Sequence, residues 1–432
     1  MSVPRVDGIR RYPWILNVGL LVVTVVVVCV LLEVALRVTG LFAPRYNYGD
    51  PDVGWRSAYA TARQVTDRCF DLANQRDVTF ARNEDGVRTS YPSATLRSDT
   101  MRSVAVSGDS QTDLCAPNGE IHFGYLESEL RAAGLPVAVY SYGAGKYSPL
   151  QAYLAVKPQM AAYGSDAFVL NLFTGNDFMD LLRVDDRPHL VPEGTSYRIA
   201  PPVWYQQDPP GLQRRSHVLA LVAHFADALG LSRLVVRVQY LRDAAQDQGK
   251  GMTEVIGYMN DLRKSGSSSV GYSQAFTAQM LNQQLFFERF GGSKEESIRR
   301  LRFLLAQIRR EQPSAILILS PIPSFQLVHP EPVDTALSTV LARLPLTYAG
   351  GVAEERALYE VSRQLAAEAG WVFVDNLPAL QALRGTVKLF NTFDYHIEPV
   401  ASEAIGRGEA TALLPLLRQR AAAAAVSRSG LR

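Results

Sequence analysis

The strongest constraint on the fold is an uncharged, apolar stretch near the N-terminus, residues 14–32. Its 19 residues are enough to cross the hydrocarbon core of a bilayer as a helix, which bonds all its own backbone groups there. Basic residues precede it at Arg5, Arg10 and Arg11, and this charge favours a cytoplasmic N-terminus. The sequence therefore predicts a single-pass anchor over residues 14–36, with the main domain on the extracytoplasmic (periplasmic) side of the inner membrane.

A cleaved signal peptide is the alternative interpretation of this stretch. No A-x-A-like cleavage site follows it directly, so an uncleaved anchor is favoured. Arg37 and Arg45, on the far side of the stretch, weaken the charge bias that sets orientation.

We expect residues 1–13 to form a cytoplasmic leader. Residues 37–100, rich in turn formers and without sustained periodicity, are predicted to be a juxtamembrane segment lying on the main domain.

Composition excludes one class of partner. The 432 residues include 44 basic and 42 acidic side chains, for a formal net charge of +2. This balance gives no electrostatic reason to expect nucleic acid as a partner. Hydrophobic residues make up 47% of the chain, which is typical of a folded globular protein with one large domain or two.

From about residue 101, short apolar runs alternate with helical patterns, which is typical of a parallel sheet covered by helices on both faces. Five strands are predicted, at residues 103–106, 136–142, 166–173, 315–319 and 371–375. Helices are predicted at residues 122–133, from 148, and at 297–310, 352–369 and 402–420. The predicted fold class is therefore α/β: a three-layer α/β/α domain with a mainly parallel five-stranded, flavodoxin-like sheet.

This domain is predicted to cover residues 101–425, with residues 426–432 as a tail. A long stretch, residues 178–295, interrupts the alternation with Pro-rich segments and an apolar helical pattern near residues 217–229. We expect it to be an inserted, largely helical cap.

Polar clusters follow three of the predicted strands, and a fourth precedes the last helix. They lie at residues 107–112, 141–148, 174–177 and 393–396. Open parallel sheets place their sites at the carboxyl ends of the strands. Together the clusters supply a hydroxyl, an imidazole, a carboxylate and amide donors, the groups used in covalent acyl transfer.

Each cluster alone has a structural interpretation, such as a helix N-cap, an ordinary turn or a structural histidine. Their order and their placement at strand ends favour a catalytic site. Asp185, Asp186 and His189 form a weak candidate for a metal site, since acids in a Pro-rich loop are usually solvated. No H-E-x-x-H, Walker A or G-x-S-x-G sequence is present, so no metal or cofactor is expected.

The four clusters resemble the conserved blocks of the SGNH (GDSL-like) hydrolases over about residues 101–420, the insertion excepted. This resemblance implies that Ser110 is the nucleophile, that His396 is the base, and that the Asn176 side chain donates to the oxyanion. The segment of residues 83–88 is also similar to one that precedes the nucleophile in membrane-anchored bacterial members.

Two positions depart from the family pattern. Asp394 lies two residues before His396, instead of three, in a D-x-H form similar to that of polysaccharide O-acetyltransferase relatives. In the second block Ser141 replaces an Asn, and Lys146 falls at the later Gly position. The resemblance implies a backbone N–H donor to the oxyanion beside that of Ser110, and either Gly145 or Lys146 is predicted to present it.

The predicted function is an extracytoplasmic serine esterase acting on an acyl ester or an acylated glycan. One alternative is an O-acetyltransferase or deacetylase of a cell-envelope or exported polysaccharide, and a second is a non-catalytic membrane-tethered scaffold. Cys69 and Cys115 could pair in an oxidising compartment, and two free thiols are the equal alternative. Cys29 lies within the apolar stretch.

Overall fold

A computed structural model gives the architecture of most of the chain. The residues it describes are 13–39, 48–56, 65–71, 74, 76–98, 100–184, 187–203, 216–219, 221–222, 294–331, 347–391 and 396–429. They belong to two units. One comprises residues 1–46 and 208–252, and the other comprises residues 47–207 and 253–432.

The first unit contains helix α1, Pro13–Thr39. Within Asn17–Thr39, an 18-residue window has a mean hydropathy of 2.9 and no buried residue, so this portion fits a single-pass membrane anchor or a signal sequence. Near its end, the Glu33 carboxylate accepts hydrogen bonds from the Ser216 hydroxyl at 2.9 Å and the Val218 N–H at 3.0 Å. Glu33 thereby caps the helical turn that follows residue 216.

The second unit is built on a parallel sheet. Its strands are β5 Arg102–Ser107, β6 Val137–Ser141, β7 Ala167–Phe173, β10 Ile316–Ile322 and β11 Val372–Phe373. Their spatial order is β11-β10-β7-β5-β6, and every neighbouring pair is parallel. Continuous apolar runs predicted these strands, because a sheet covered on both faces buries every residue. The predicted α/β class with a five-stranded parallel sheet is confirmed.

Helices cover both faces of this sheet. The helices of the second unit are α2 Ser93–Leu96, α3 His122–Ala132, α4 Pro149–Tyr163, α5 Asp177–Asp180, α6 Lys294–Glu311, α7 Phe325–Val328, α8 Tyr348–Glu368, α9 Leu377–Leu383 and α10 Pro399–Ser429. Helices α4, α6 and α8 share one core with alternate side chains of the strands, and α3 packs against α10. The last helix continues to Ser429, beyond the predicted start of a tail at residue 426, because its Ala-rich end favours helix.

Antiparallel strands occupy part of the predicted juxtamembrane segment. They are β1 Tyr48–Asp50 paired with β2 Gly54–Arg56, and β3 Val65–Asp71 paired with β4 Arg76–Arg82. The sequence did not predict them, because charged residues interrupt the alternation that identifies a half-buried strand. Arg88 pairs through its backbone with Ser141 and so connects this region to edge strand β6.

The described beginning of the insertion contains the end of α5 and then a hairpin of β8 His189–Glu193 and β9 Ser196–Ala200, which the prediction of a largely helical cap did not include. Helical turns are described at residues 217–219 and 221–222, within the helix predicted near 217–229. The rest of the predicted cap lies outside the described residues.

The chain order of the strands reverses beside β5. The next strand, β6, lies on one side of it, and β7, β10 and β11 lie on the other. In open sheets of this kind, ligands bind in the crevice beyond the carboxyl ends of the strands at the reversal. The site is therefore expected beyond β5 and β7.

Candidate active site

Ser110 lies in a tight turn directly after β5. The backbone N–H groups of Thr112 and Asp113 donate to the Asp109 carbonyl at 3.1 and 3.2 Å, which closes the turn. A side chain at Gly108 would place a Cβ 2.3 Å from the Thr112 hydroxyl oxygen, so this close approach requires glycine. Ser110 is half-buried between the buried Asp109 and Gln111.

The loop after β6 packs against this turn. A Cβ built on Gly145 would lie 3.9 Å from the Ser110 Cβ, and one on Gly143 would lie 3.0 Å from the Thr112 Cβ. Lys146 has φ +68°, and among the described residues it is the one non-glycine residue with a positive φ. This left-handed conformation is the one that glycine adopts most readily, which fits the expected match of Lys146 to a glycine position. The structure therefore brings the second predicted cluster beside Ser110.

Asn176 lies just beyond β7, the neighbour of β5. Its turn is held by the Asp177 carboxylate, which accepts a hydrogen bond from the Phe173 N–H at 2.7 Å. The Asn176 side chain makes no capping hydrogen bond to the short helix that it precedes, and its Oδ1 is buried without a hydrogen-bond partner among the described residues. The amide is therefore not used to cap that helix.

A buried carboxylate supports this turn from behind. Glu355 on α8 accepts hydrogen bonds from the Thr174 hydroxyl at 2.5 Å and from Gln326 at 2.7 Å. It also accepts two from Ser324, through the N–H at 3.0 Å and the hydroxyl at 2.5 Å. These bonds connect the loop after β7 to the loop after β10. The connection is made at Thr174, two residues before Asn176.

The segment containing His396 is hydrogen-bonded to the Ser110 turn. Gln111 accepts a hydrogen bond from the Ile397 N–H through its side-chain oxygen at 3.0 Å. The His396 carbonyl in turn accepts from the Asn391 N–H at 2.9 Å, which fixes the segment from its other side. The residues that directly follow Ser110 and His396 are therefore in contact, although 286 positions separate them.

Buried acidic groups lie close to this site. Burial raises the pKa of Asp109 to about 6, the Asp180 carboxylate adds to the rise, and His396 opposes it. Burial, together with the charges of Asp109 and Asp180, raises the pKa of Asp177 well above its usual range. The buried Arg187 guanidinium lies 3.0 Å from Asp180. Three buried carboxyl groups, of Asp109, Asp177 and Asp180, therefore lie near one buried guanidinium.

The sequence did not reveal this cluster, since Arg187 carries no local signal in a Pro-rich loop. Asp394, the predicted partner of His396, lies outside the described residues, as do Asp185 and Asp186. His189 contacts the Arg187 carbonyl at 3.4 Å. Within the described ranges, no group of three or more His, Cys, Asp or Glu residues is arranged to hold a metal.

The two cysteines that the sequence left open form a disulfide. Cys69 on β3 and Cys115, five residues after Ser110, have Cα atoms 5.8 Å apart. The bond ties the segment that follows the Ser110 turn to the β3–β4 hairpin.

The fold and the site define an α/β protein with a serine, a histidine-bearing segment and an asparagine at the reversal point of a parallel sheet. No family model matches the chain, and no curated protein matches it.

Among solved structures, the chain is similar to a lipase/acylhydrolase from Enterococcus faecalis, with 13% identity, a TM-score of 0.35, and coverage of 73% of this chain and 96% of that one. It is also similar to a catalytic mutant of an acetylxylan esterase from Geobacillus stearothermophilus, with 10% identity, a TM-score of 0.35, and coverage of 73% and 94%.

Proposed function

We propose that the protein is a serine esterase that cleaves an acyl ester through an acyl-enzyme on Ser110. The observation that carries this proposal is the Gln111–Ile397 hydrogen bond of 3.0 Å, because it joins the nucleophile turn to the histidine segment. The close approach of the Gly145 loop also supports the proposal, since a Cβ on Gly145 would lie 3.9 Å from the Ser110 Cβ. The order of the four clusters in the sequence supports the same assignment.

In the proposed reaction, His396 takes the proton from the Ser110 hydroxyl as its oxygen attacks the ester carbonyl. The oxyanion accepts hydrogen bonds from the Ser110 N–H, the Gly145 or Lys146 N–H and the Asn176 amide. The C–O bond to the alcohol then breaks, and the alcohol leaves with the proton from His396. Water repeats these steps to release the acid.

Asp394 is proposed to fix the imidazole tautomer and to stabilise the imidazolium. Its D-x-H spacing to His396, similar to that of polysaccharide O-acetyltransferase relatives, favours an acylated glycan as substrate. The same spacing supports a second candidate function, transfer of the acyl group to or its removal from a cell-envelope or exported polysaccharide. Location outside the cytoplasm is supported by the apolar helix and by the Cys69–Cys115 disulfide, since disulfides persist in oxidising compartments.

Labelling with a fluorophosphonate, which reacts with activated serines, tests the proposal on full-length protein in detergent. The wild type and a Ser98→Ala control, which changes a serine of the same unit outside the site, should be labelled equally. Ser110→Ala should not be labelled. Asn176→Ala should lose about 100- to 1,000-fold in turnover of a responsive ester with an unchanged melting temperature, as expected for loss of one oxyanion donor.

Failure of the wild type to label would favour the non-catalytic scaffold. Full turnover by Asn176→Ala would contradict the oxyanion assignment. Acetyl release measured with and without a glycan acceptor distinguishes ester hydrolysis from acyl transfer. Absence of transfer to any acceptor would rule out the transferase function.

A further inference from the structure

Arg88 is a charged side chain buried at the base of the nucleophile loop, with 1% of its surface exposed. Its Nε donates to the Asn118 side-chain oxygen at 2.9 Å and its Nη1 to the Leu114 carbonyl at 2.6 Å. Its Nη2 donates to the Ala116 carbonyl. One planar guanidinium thus holds three points of the chain that leaves the Ser110 turn.

The same group is linked to the turn itself. Asp113 donates its N–H to the Asp109 carbonyl and so closes the turn around Ser110. The Asp113 carboxylate lies 3.4 Å from Arg88 Nη1 and 3.2 Å from Arg82 Nη2. Movement of the Arg88 side chain would therefore be transmitted directly to the end of the nucleophile turn.

The backbone of Arg88 holds the other half of the site. Its N–H donates to the Ser141 carbonyl, and its carbonyl accepts from the Ser141 N–H, both at 2.8 Å. Ser141 begins the loop that brings Gly145 beside Ser110. The Arg88 backbone therefore fixes one loop of the site, and its side chain fixes the other.

The surroundings of Arg88 favour arginine over lysine. Its guanidinium carbon lies 4.0 Å from the centre of the Phe80 ring and 5.9 Å from that of Phe123, so the group stacks between apolar faces. A lysine ammonium is a compact point charge and cannot reach the three acceptors in the same plane. Substitution of Arg88 by lysine would therefore leave buried carbonyl oxygens without a hydrogen-bond donor.

We infer that Arg88 is a positioning residue for the proposed esterase reaction, setting the distance between Ser110 and the oxyanion donors of the Gly145 loop. This inference rests on the proposed function. Arg88 touches neither the substrate nor the reacting atoms. Its substitution should therefore slow the chemical step and leave substrate binding nearly unchanged.

The experiment compares Arg88→Lys and Arg88→Met with Arg76→Lys. Arg76 lies on the adjoining hairpin and forms surface ion pairs with Asp71 and Glu120. The measurements are the rate of Ser110 labelling by a fluorophosphonate, kcat and KM for p-nitrophenyl acetate, and the melting temperature. Arg88→Lys should lower kcat and the labelling rate about 10- to 100-fold, since small misplacements have effects of this size, and should change KM less than about two-fold. Arg76→Lys should match the wild type.

A wild type that is not labelled would overturn the proposed function and this inference with it. A labelled wild type with equal kcat and labelling in Arg88→Lys would overturn the inference alone, even if the melting temperature falls. A raised KM at unchanged kcat would also overturn it. If the Arg88 variants do not fold, Asn118→Ala decides. It removes the acceptor of Nε and the Asn118 amide bond to the Ala81 carbonyl, and it leaves the Arg88 bonds to the Leu114 and Ala116 carbonyls in place. Its kcat should fall several-fold, and an unchanged kcat would overturn the inference.

Discussion

At the scale of single residues, Lys146 has an unfavourable backbone conformation in the loop beside Ser110. A left-handed backbone costs a residue with a Cβ about 1–2 kcal/mol relative to the right-handed one. The exposed Lys146 has φ +68° in the loop that packs on the Ser110 turn. The surrounding contacts of that loop maintain the conformation, as is common for strained residues at active sites.

Replacement of Lys146 by glycine should relieve this strain. Part of the gain is offset because glycine makes the unfolded chain more flexible. We expect Lys146→Gly to raise the free energy of unfolding by about 0.5–1 kcal/mol, measured by urea denaturation. Its ester turnover should stay within about two-fold of the wild type, because the proposed oxyanion donor is main chain. Lys146→Ala, which keeps the Cβ, is the matched control and should show no gain in stability. A destabilised Lys146→Gly would contradict the explanation.

Asp109 predicts a pH dependence of stability. In the folded chain the Asp109 carboxyl keeps its proton up to about pH 6, because burial raises the pKa of Asp109 to about 6. The unfolded chain releases the proton near pH 4. Folding therefore takes up a proton between these values, and stability falls as the pH rises through this window.

Asp109→Asn should remove this contribution and still accept the Gln111 N–H bond, which is 2.9 Å long in the wild type. The free energy of unfolding of the variant relative to the wild type should rise by roughly 2 kcal/mol between pH 4 and pH 7. Urea denaturation at pH 4, 5, 6 and 7 measures the difference. A difference that is constant with pH would show that Asp109 does not hold a proton in the folded chain.

Residues of the site differ in how well the sequence revealed them. The position of Ser110 and Asn176 beyond strand ends was predicted from the apolar strands that precede them, and their roles, implied by the family resemblance, stay predictions. The roles of Arg88 and Arg187 were not predicted. Each is buried by contacts with residues that are distant in the chain or in an irregular loop, and no local pattern marks a buried arginine.

At the scale of elements, the parallel strands were predictable and the antiparallel ones were not. The third predicted strand, at residues 166–173, begins one residue before β7, Ala167–Phe173. Strand β10 extends to Ile322, three residues further than predicted, although Pro321 within it usually marks the end of a strand. Its parallel pairing with β7 continues to the last residue. The pairing of β10 with β7 thus extends the strand past Pro321, a residue that would be expected to end it.

The β3–β4 hairpin is held to the nucleophile loop by the Cys69–Cys115 disulfide, which closes a separation of 46 residues. The loss of such a crosslink costs roughly 4 kcal/mol by the chain-entropy relation. We expect the double variant Cys69→Ser with Cys115→Ser to lose about this much free energy of unfolding. Cys29→Ser, which changes the free cysteine, is the control and should have no effect. Equal stability of the double variant and the wild type would contradict a disulfide in the native protein.

At the scale of the whole molecule, the five strands were predictable, and their order across the sheet was not. Chain neighbours such as β5 and β6 are expected to lie side by side, but the sequence contains no signal for the side on which β7 is added. The structure places β7 opposite β6. This reversal places β5 and β7, the strands that precede Ser110 and Asn176, side by side.

The apolar helix predicts the orientation of the full chain in a membrane. Its Asn17–Thr39 portion is long enough to span, and Arg5, Arg10 and Arg11 precede it. We expect a C-terminal alkaline phosphatase fusion to be active and a C-terminal green fluorescent fusion to be dark, because positively charged leaders stay in the cytoplasm. Neutralising the three arginines together should lower the phosphatase activity. Resistance of the fusion to carbonate extraction measures whether the helix remains as an anchor.

The control separates the effect of position from that of total charge. Arg299, Arg302 and Arg310 are exposed on α6, far along the chain from the helix. Their joint neutralisation changes the net charge of the protein equally. Only charges within about 15–20 residues of a spanning helix set its orientation, so this variant should keep the phosphatase activity of the wild type. Equal losses in both triple variants would point to impaired folding instead. A fusion that carbonate releases, with a chain shortened at its N-terminus, would show that the helix acts as a cleaved signal peptide.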